Sequence, residues 1–210
     1  MNILKPQKTY LKQLKNKKIS EIKESEDLEK NFFENEECNN INLFDLNFEY
    51  CRFNNICMQN GKLENITFTN VIFDNCDFSN TEFIESSFIK CEFNNCKLSG
   101  CDLSENRLCN VHLLESNASY INLSMASLEK ILFKDSNLRN SYFQETKIKN
   151  IYFENSDLSQ AHFFKTSLKN IDLSNSQIEG ISIVIEDIRG AIIDQLQAVD
   201  LLYLIGVKIK

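Results

Sequence analysis

Every fifth residue from Leu43 to Ile193, 31 positions in all, is apolar. Phe73, Phe78, Phe83, Phe88, Phe93 and Leu98 show the interval at its plainest. At 42% apolar composition, chance gives such a run with a probability of about 10⁻¹². A helix face returns every 3.6 residues and a strand face every second one, so neither rule accounts for an interval of five. The positions one before and one after this register carry only scattered apolar residues, among them Ile72, Leu132, Ile84 and Phe164. Five residues is therefore the length of the repeating unit itself.

Within each unit the residue two before the centre is small or medium, with Leu46, Gly61, Asn106 and Glu186 as the odd members of the column. Cys51, Cys76, Cys91, Cys96 and Cys101 fall in it, which uses them as small buried apolar residues. No C-x-x-C pair exists among the eight cysteines, so a zinc ribbon or thioredoxin-type site is not supported. Asn fills the fifth slot in 13 of the 31 units. That suits a tight turn, because Asn bonds locally and tolerates left-handed backbone. Two inward positions and a turn in every five residues describe a chain that bends at short intervals. Such a chain satisfies its backbone by stacking on its own neighbours, as solenoids do.

The units CDFSN (76–80), CDLSE (101–105), SDLSQ (156–160) and IDLSN (171–175) resemble the A(D/N)LXX motif of pentapeptide repeat proteins. The resemblance covers roughly residues 41–193 and implies an all-β solenoid, a right-handed quadrilateral β-helix with four repeats per coil and nearly eight coils. Leu28, Phe33 and Cys38 sit in the same register, so the expected organisation has three parts. Residues 1–27 form a basic N-terminal extension, 28–193 the β-helix, and 194–210 a C-terminal helix and tail.

At the N-terminus, Tyr10, Leu11, Leu14, Ile19 and Ile22 give a weak helical pattern with lysines opposite. The pattern fits an N-terminal helix docked on the body or on a partner, and equally a solvated tail. At the other end, Asp194 reads as a helix N-cap and Gly206 as a stop. Leu196, Val199 and Tyr203 mark one face of that helix, while Leu201, Leu202, Leu204 and Ile205 make it apolar nearly all round. It must bury one face on the final coil and a second elsewhere, most simply on a twofold mate. The expected homodimer interface is Leu196, Val199, Leu202, Tyr203 and Ile205; capping without dimerisation is the alternative. The segment DIRGAIIDQLQAVDLLYLIGVKI (187–209) also resembles the C-terminal end of the quinolone-resistance (Qnr-type) subfamily.

Charge is unevenly placed. Residues 1–20 hold six Lys and no acid, residues 21–40 hold eight acids and two Lys, and the remainder holds 22 acids against 15 bases. An acidic body argues against direct binding to a phosphate backbone. No run of 18 apolar residues indicates a membrane span, and the basic N-terminus lacks the apolar core of a signal peptide, which makes cytoplasmic residence the expectation.

His112 and His162 are the only imidazoles, 50 residues apart and so on opposite sides of a four-repeat coil. No nucleophile–base grouping, phosphate loop, metal set or cofactor motif is assembled, and a non-enzymatic protein is expected. Function then sits on the outside. With residues 20 apart stacked, one outward column reads Arg52, Ile72, Glu92, His112, Leu132, Tyr152, and another ends in Phe164 and Val184. Ile72, Leu132, Tyr152 and Phe164 are the candidate partner surface. The Qnr-type resemblance implies a DNA mimic that binds type II topoisomerase, DNA gyrase or topoisomerase IV, and shields it from quinolones. A scaffold or immunity factor with an unrelated partner is the alternative, since a solenoid alone does not specify function.

Overall fold

The computed structural model describes residues 3–207. Parallel pairing at an offset of 20 residues runs through it. One column links Leu28 to Phe48, Phe68, Phe88, Leu108, Leu128 and Ile148 in turn. Twenty residues are four of the five-residue units, so the chain winds as a four-sided parallel β-solenoid. Past Glu154 the strands shrink to single bridges, Asp157 to Gln177, His162 to Ser182 and Asp172 to Ile192.

The unit's centre points inward as the periodicity predicts. It is buried at every position of the 31 except Leu43, Ile148, Ile188 and Ile193, which are half-buried. The position two before it is buried without exception from Leu46 to Ile181, and here the five cysteines sit as free thiols. The aromatic stretch builds two ladders. Phe33, Phe53, Phe73 and Phe93 stack with centroid spacings of 4.7, 5.1 and 4.5 Å. Phe48, Phe68 and Phe88 stack at 5.1 and 5.0 Å beside them. Rings of the two ladders meet edge to face, as Phe68 and Phe73 do at 5.3 Å. Such arrangements add about 0.5–1.5 kcal/mol per pair beyond the area buried.

The corners follow from the fifth slot. Every fifth residue from Ser25 to Asn170 has positive φ, and Gly100 alone among them is glycine. Left-handed backbone costs a residue with a Cβ about 1–2 kcal/mol. Side-chain ladders offset part of it: Asn55 donates to Asn35 (2.8 Å), Asn95 to Asn75 (2.7 Å) and Asn65 to Asp45 (2.8 Å). A second local device explains the Asp or Asn of units such as CDLSE. Its side-chain oxygen accepts the backbone N–H two residues on, in Asp77–Ser79, Asp102–Ser104, Asn122–Ser124, Asp157–Ser159 and Asp172–Ser174. These acids hold turns.

Both ends depart from plain repetition. The apolar register runs on to Ile193, but the coil geometry gives way at α1 (Ile185–Ile188), where Glu186 is exposed in a column otherwise buried. Next comes α2 (Gln195–Asp200), started by Asp194, whose carboxylate accepts from Leu196 and Gln197 N–H while the Gln197 side chain returns to the Asp194 N–H. A 3-10 turn over Leu202–Ile205 follows, and Gly206 at φ 73° ends it. At the N-terminus no continuous helix forms. A 3-10 helix (Lys8–Gln13), a two-residue strand (Lys15–Asn16) paired with Asn31–Phe32, and a 3-10 turn (Ile19–Glu21) replace it. Tyr10 and Ile19 are the buried residues of this stretch. Residues 1–2 and 208–210, parts of the expected extension and tail, lie outside the described residues.

Candidate functional site

The outward column from Arg52 to Tyr152 forms with the expected register. Its exposure is not what the sequence suggests. Ile72 and Leu132, expected to be open apolar contacts, are 3% and 5% exposed, and Glu92 and His112 are each 2% exposed. The reason is the N-terminal segment, which runs along this side of the solenoid. Leu4 N–H donates to Asn110 Oδ1 at 3.0 Å. Lys8 Nζ lies 3.2 Å and Lys5 Nζ 3.8 Å from the Glu92 carboxylate. Tyr10 packs on Tyr50 at 5.4 Å and its hydroxyl donates to the Asn70 carbonyl at 2.9 Å, with the Cys51 carbonyl at 3.3 Å. Of the candidate partner surface, then, Ile72 and Leu132 are not available, Tyr152 is half-buried, and Phe164 is 48% exposed beside Val184 and under Lys165. Nothing in the register could have revealed this, because the covering segment lies outside it.

The covered groups have shifted ionisation. Burial pushes the Glu92 carboxyl up, but hydrogen bonds from Asn94 and Lys8 and the charges of both lysines outweigh it and hold it below the ordinary glutamate value. Burial pushes the His112 imidazole down, and the Lys5 charge adds to that. The Glu92 charge and the Ile3 backbone act on His112 in the opposite direction. Among the described residues Asn70 Oδ1 lacks a hydrogen-bond partner, and Glu92 Oε2 is met by the Lys5 ammonium at 3.8 Å.

The C-terminal helix has two faces. Gln197 is buried and its amide donates to the carbonyls of Leu173 (2.7 Å) and Ser176 (2.5 Å). It thereby closes the Ser176 carbonyl, an acceptor that the end of the solenoid leaves open, and adds a second donor to the Leu173 carbonyl, which already accepts the Ser176 N–H. Leu201 and Leu204 pack on the core, and the Tyr203 hydroxyl donates to the Ile181 carbonyl. Of the five residues expected at a dimer interface, Leu196, Val199, Tyr203 and Ile205 are exposed and Leu202 is half-buried. Leu196 and Ile205 stand out at 79% and 64% exposed. Gln197 carries the capping and escaped the sequence reading, which counted only apolar residues in this helix.

A shallow groove of about 600 Å³ is lined by Asn35, Asn55, Asn75 and Asn95, with Glu36 and Glu115 beside them. Its lining holds no His, and burial pushes the Cys96 thiol beside it well above the ordinary thiol value. Among the described residues no group of His, Cys, Asp and Glu could hold a metal ion. No helix among them is long and apolar enough to cross a membrane.

A family model described as a pentapeptide repeat region matches residues 66–138 and 86–163. No curated protein matches the chain. Among solved structures, a trypsin-treated variant of QnrB1, a plasmid-mediated fluoroquinolone resistance protein, is similar at 22% identity and a TM-score of 0.41, covering 94% of this chain and 96% of that one. Full-length QnrB1 gives 16% identity, a TM-score of 0.36, and 87% and 99% coverage. HetL, a pentapeptide repeat protein involved in heterocyst differentiation regulation from the cyanobacterium Nostoc, gives 15%, 0.34, and 80% and 90%.

Proposed function

The chain is a pentapeptide repeat protein, and from that premise we propose that it is a non-enzymatic binding protein. It works as a homodimer that occupies type II topoisomerase in place of DNA and protects the enzyme from quinolones. The observation that carries the reading is the C-terminal end. There, residues 187–207 of the segment that resembles the Qnr-type subfamily fold as a cap whose outer face leaves Leu196, Val199 and Ile205 exposed. Exposed residues of this size on a helix already packed on its other side fit a twofold partner. The acidic balance of the body, 22 acids against 15 bases from residue 41 onward, suits a surface that stands in for a polyanion.

The reading is tested by expressing the protein in a quinolone-susceptible bacterium and measuring the inhibitory concentration. A rise that disappears with Leu196→Asp and Val199→Asp is expected. An inhibitory concentration unchanged by the wild-type protein sinks the topoisomerase reading.

A further inference from the structure

Residues 3–13 are attached unlike any other stretch of the chain. Coils bond to one another through continuous main-chain ladders, whereas among the described residues no hydrogen bond from main chain to main chain joins residues 3–13 to the coils. The segment is held by side chains: Lys8 and Lys5 on Glu92, the Leu4 N–H on Asn110, and the buried Tyr10 hydroxyl on the Asn70 carbonyl. Ladder pairing begins only at Lys15, after an extended Leu14. The face beneath is a poor place to be covered by an inert strap. It contains a carboxylate 2% exposed, and Asn70 Oδ1 and Glu92 Oε2 are buried there without a hydrogen-bond partner among the described residues. The strap thus leaves Asn70 Oδ1 unmatched and meets Glu92 Oε2 only with the Lys5 ammonium at 3.8 Å, while its own Lys5 and Lys8 side chains remain 57% exposed.

We propose that the face comprising Ile72, Glu92 and His112 is a binding site for a lysine-bearing segment of a partner protein, and that residues 3–13 occupy it in cis. The chemistry of the occupant follows from the strap itself. An ammonium group sits on Glu92, and about one coil away an aromatic hydroxyl caps the Asn70 carbonyl and lies 3.3 Å from the Cys51 carbonyl, which the Ile72 N–H already meets. A partner segment that also donates to Asn70 Oδ1 and Glu92 Oε2 competes with the strap, because groups left unmatched by the strap become matched. The inference goes beyond the topoisomerase reading and does not depend on it.

The test uses the full-length protein and a fluorescent peptide of residues 1–16. Lys8→Glu with Tyr10→Ala weakens the cis contact, so this variant is expected to bind the peptide about tenfold or more tighter than the wild type. Adding Glu92→Gln is expected to reverse the gain, and a peptide with glutamate at positions 5 and 8 is expected not to bind. Equal affinity for wild type and variant, or a gain indifferent to Glu92→Gln, overturns the proposal. A second measurement covers the event that the variant does not fold. In the wild type, amides of residues 3–13 are expected to exchange with solvent well before those of Ile72, Glu92 and His112, and faster still with excess peptide. Protection of the segment as long-lived as that of the coils also overturns it.

Discussion

The rings of Phe73 and Phe93 stack with centroids 4.5 Å apart and planes 11° apart, one coil above the other. They are 20 residues apart in sequence, so with a repeat of five the contact gives four repeats per coil. Phe73 also stacks on Phe53 and meets Phe68 and Phe78 edge on.

Removing that ring should be felt strongly. Phe73→Ala is expected to cost about 3–5 kcal/mol, as buried Phe truncations do. Phe83, 3% exposed, should behave alike. Denaturant unfolding of each variant measures it, and a midpoint indistinguishable from wild type contradicts the inward placement.

The corner slot predicts a graded response at Asn75, which has φ 54° and accepts from Asn95 at 2.7 Å. Asn75→Gly keeps the backbone free and loses only the ladder bond. Asn75→Val also forces a β-branched residue into left-handed geometry, for a total on the order of 2 kcal/mol. Thermal melts should rank wild type above the glycine variant and the glycine variant above valine.

At the cap, Gln197→Ala leaves the Ser176 carbonyl without its donor and takes from the Leu173 carbonyl the second of its two, the Ser176 N–H remaining. A loss of about 1–3 kcal/mol is expected. Because a solenoid's stability is largely nearest-neighbour, hydrogen exchange should show the loosening around residues 171–183 and little change near Phe73. Uniform loosening would argue against a local cap.

Acid should loosen the N-terminal segment in two stages. His112 and Glu92 both have folded pKa values below their ordinary ones, so between the two values the unfolded chain holds more protons than the folded one. Stability is full at neutral pH. It declines as pH falls below the ordinary imidazole value of 6.5, and again below the ordinary glutamate value of 4.5. His112→Phe should remove the first decline and leave the second. Unfolding midpoints across pH 4–8 check this.

How much was legible in the sequence differs by part. The spacing of Phe73, Phe78 and Phe83 states which residues go inward, and the Asn at 75 and 80 states where the chain turns, because each rule acts within one or two units. The pairing of Ile72 with Glu92 and His112 followed from the same count. What covers that column did not, since Lys8 and Tyr10 reach it from 84 and 60 residues away with no shared period. Gln197 was missed for a related reason: a polar residue on an apolar helix reads as solvent-facing, and only the open carbonyl of Ser176, with that of Leu173 beside it, makes it a buried donor. The amphipathic pattern of Tyr10 to Ile22 gave way to two short 3-10 pieces, because Lys15 and Asn16 are taken up in pairing with Asn31 and Phe32.

The dimer assignment is accessible by light scattering. Leu196→Asp with Val199→Asp places two charges on the exposed face of α2 without touching Gln197 or Leu201, and a fall from dimer to monomer mass is expected. The same change at Leu202, half-buried, should act in the same direction with some loss of stability.

The central claim, a topoisomerase-protecting rod, is tested most directly by supercoiling with purified DNA gyrase at an inhibitory quinolone concentration. The account predicts that wild-type protein restores supercoiling and that the Leu196→Asp, Val199→Asp variant restores far less. Supercoiling that stays inhibited at a saturating excess of the wild-type protein, with topoisomerase IV equally unprotected, would contradict it.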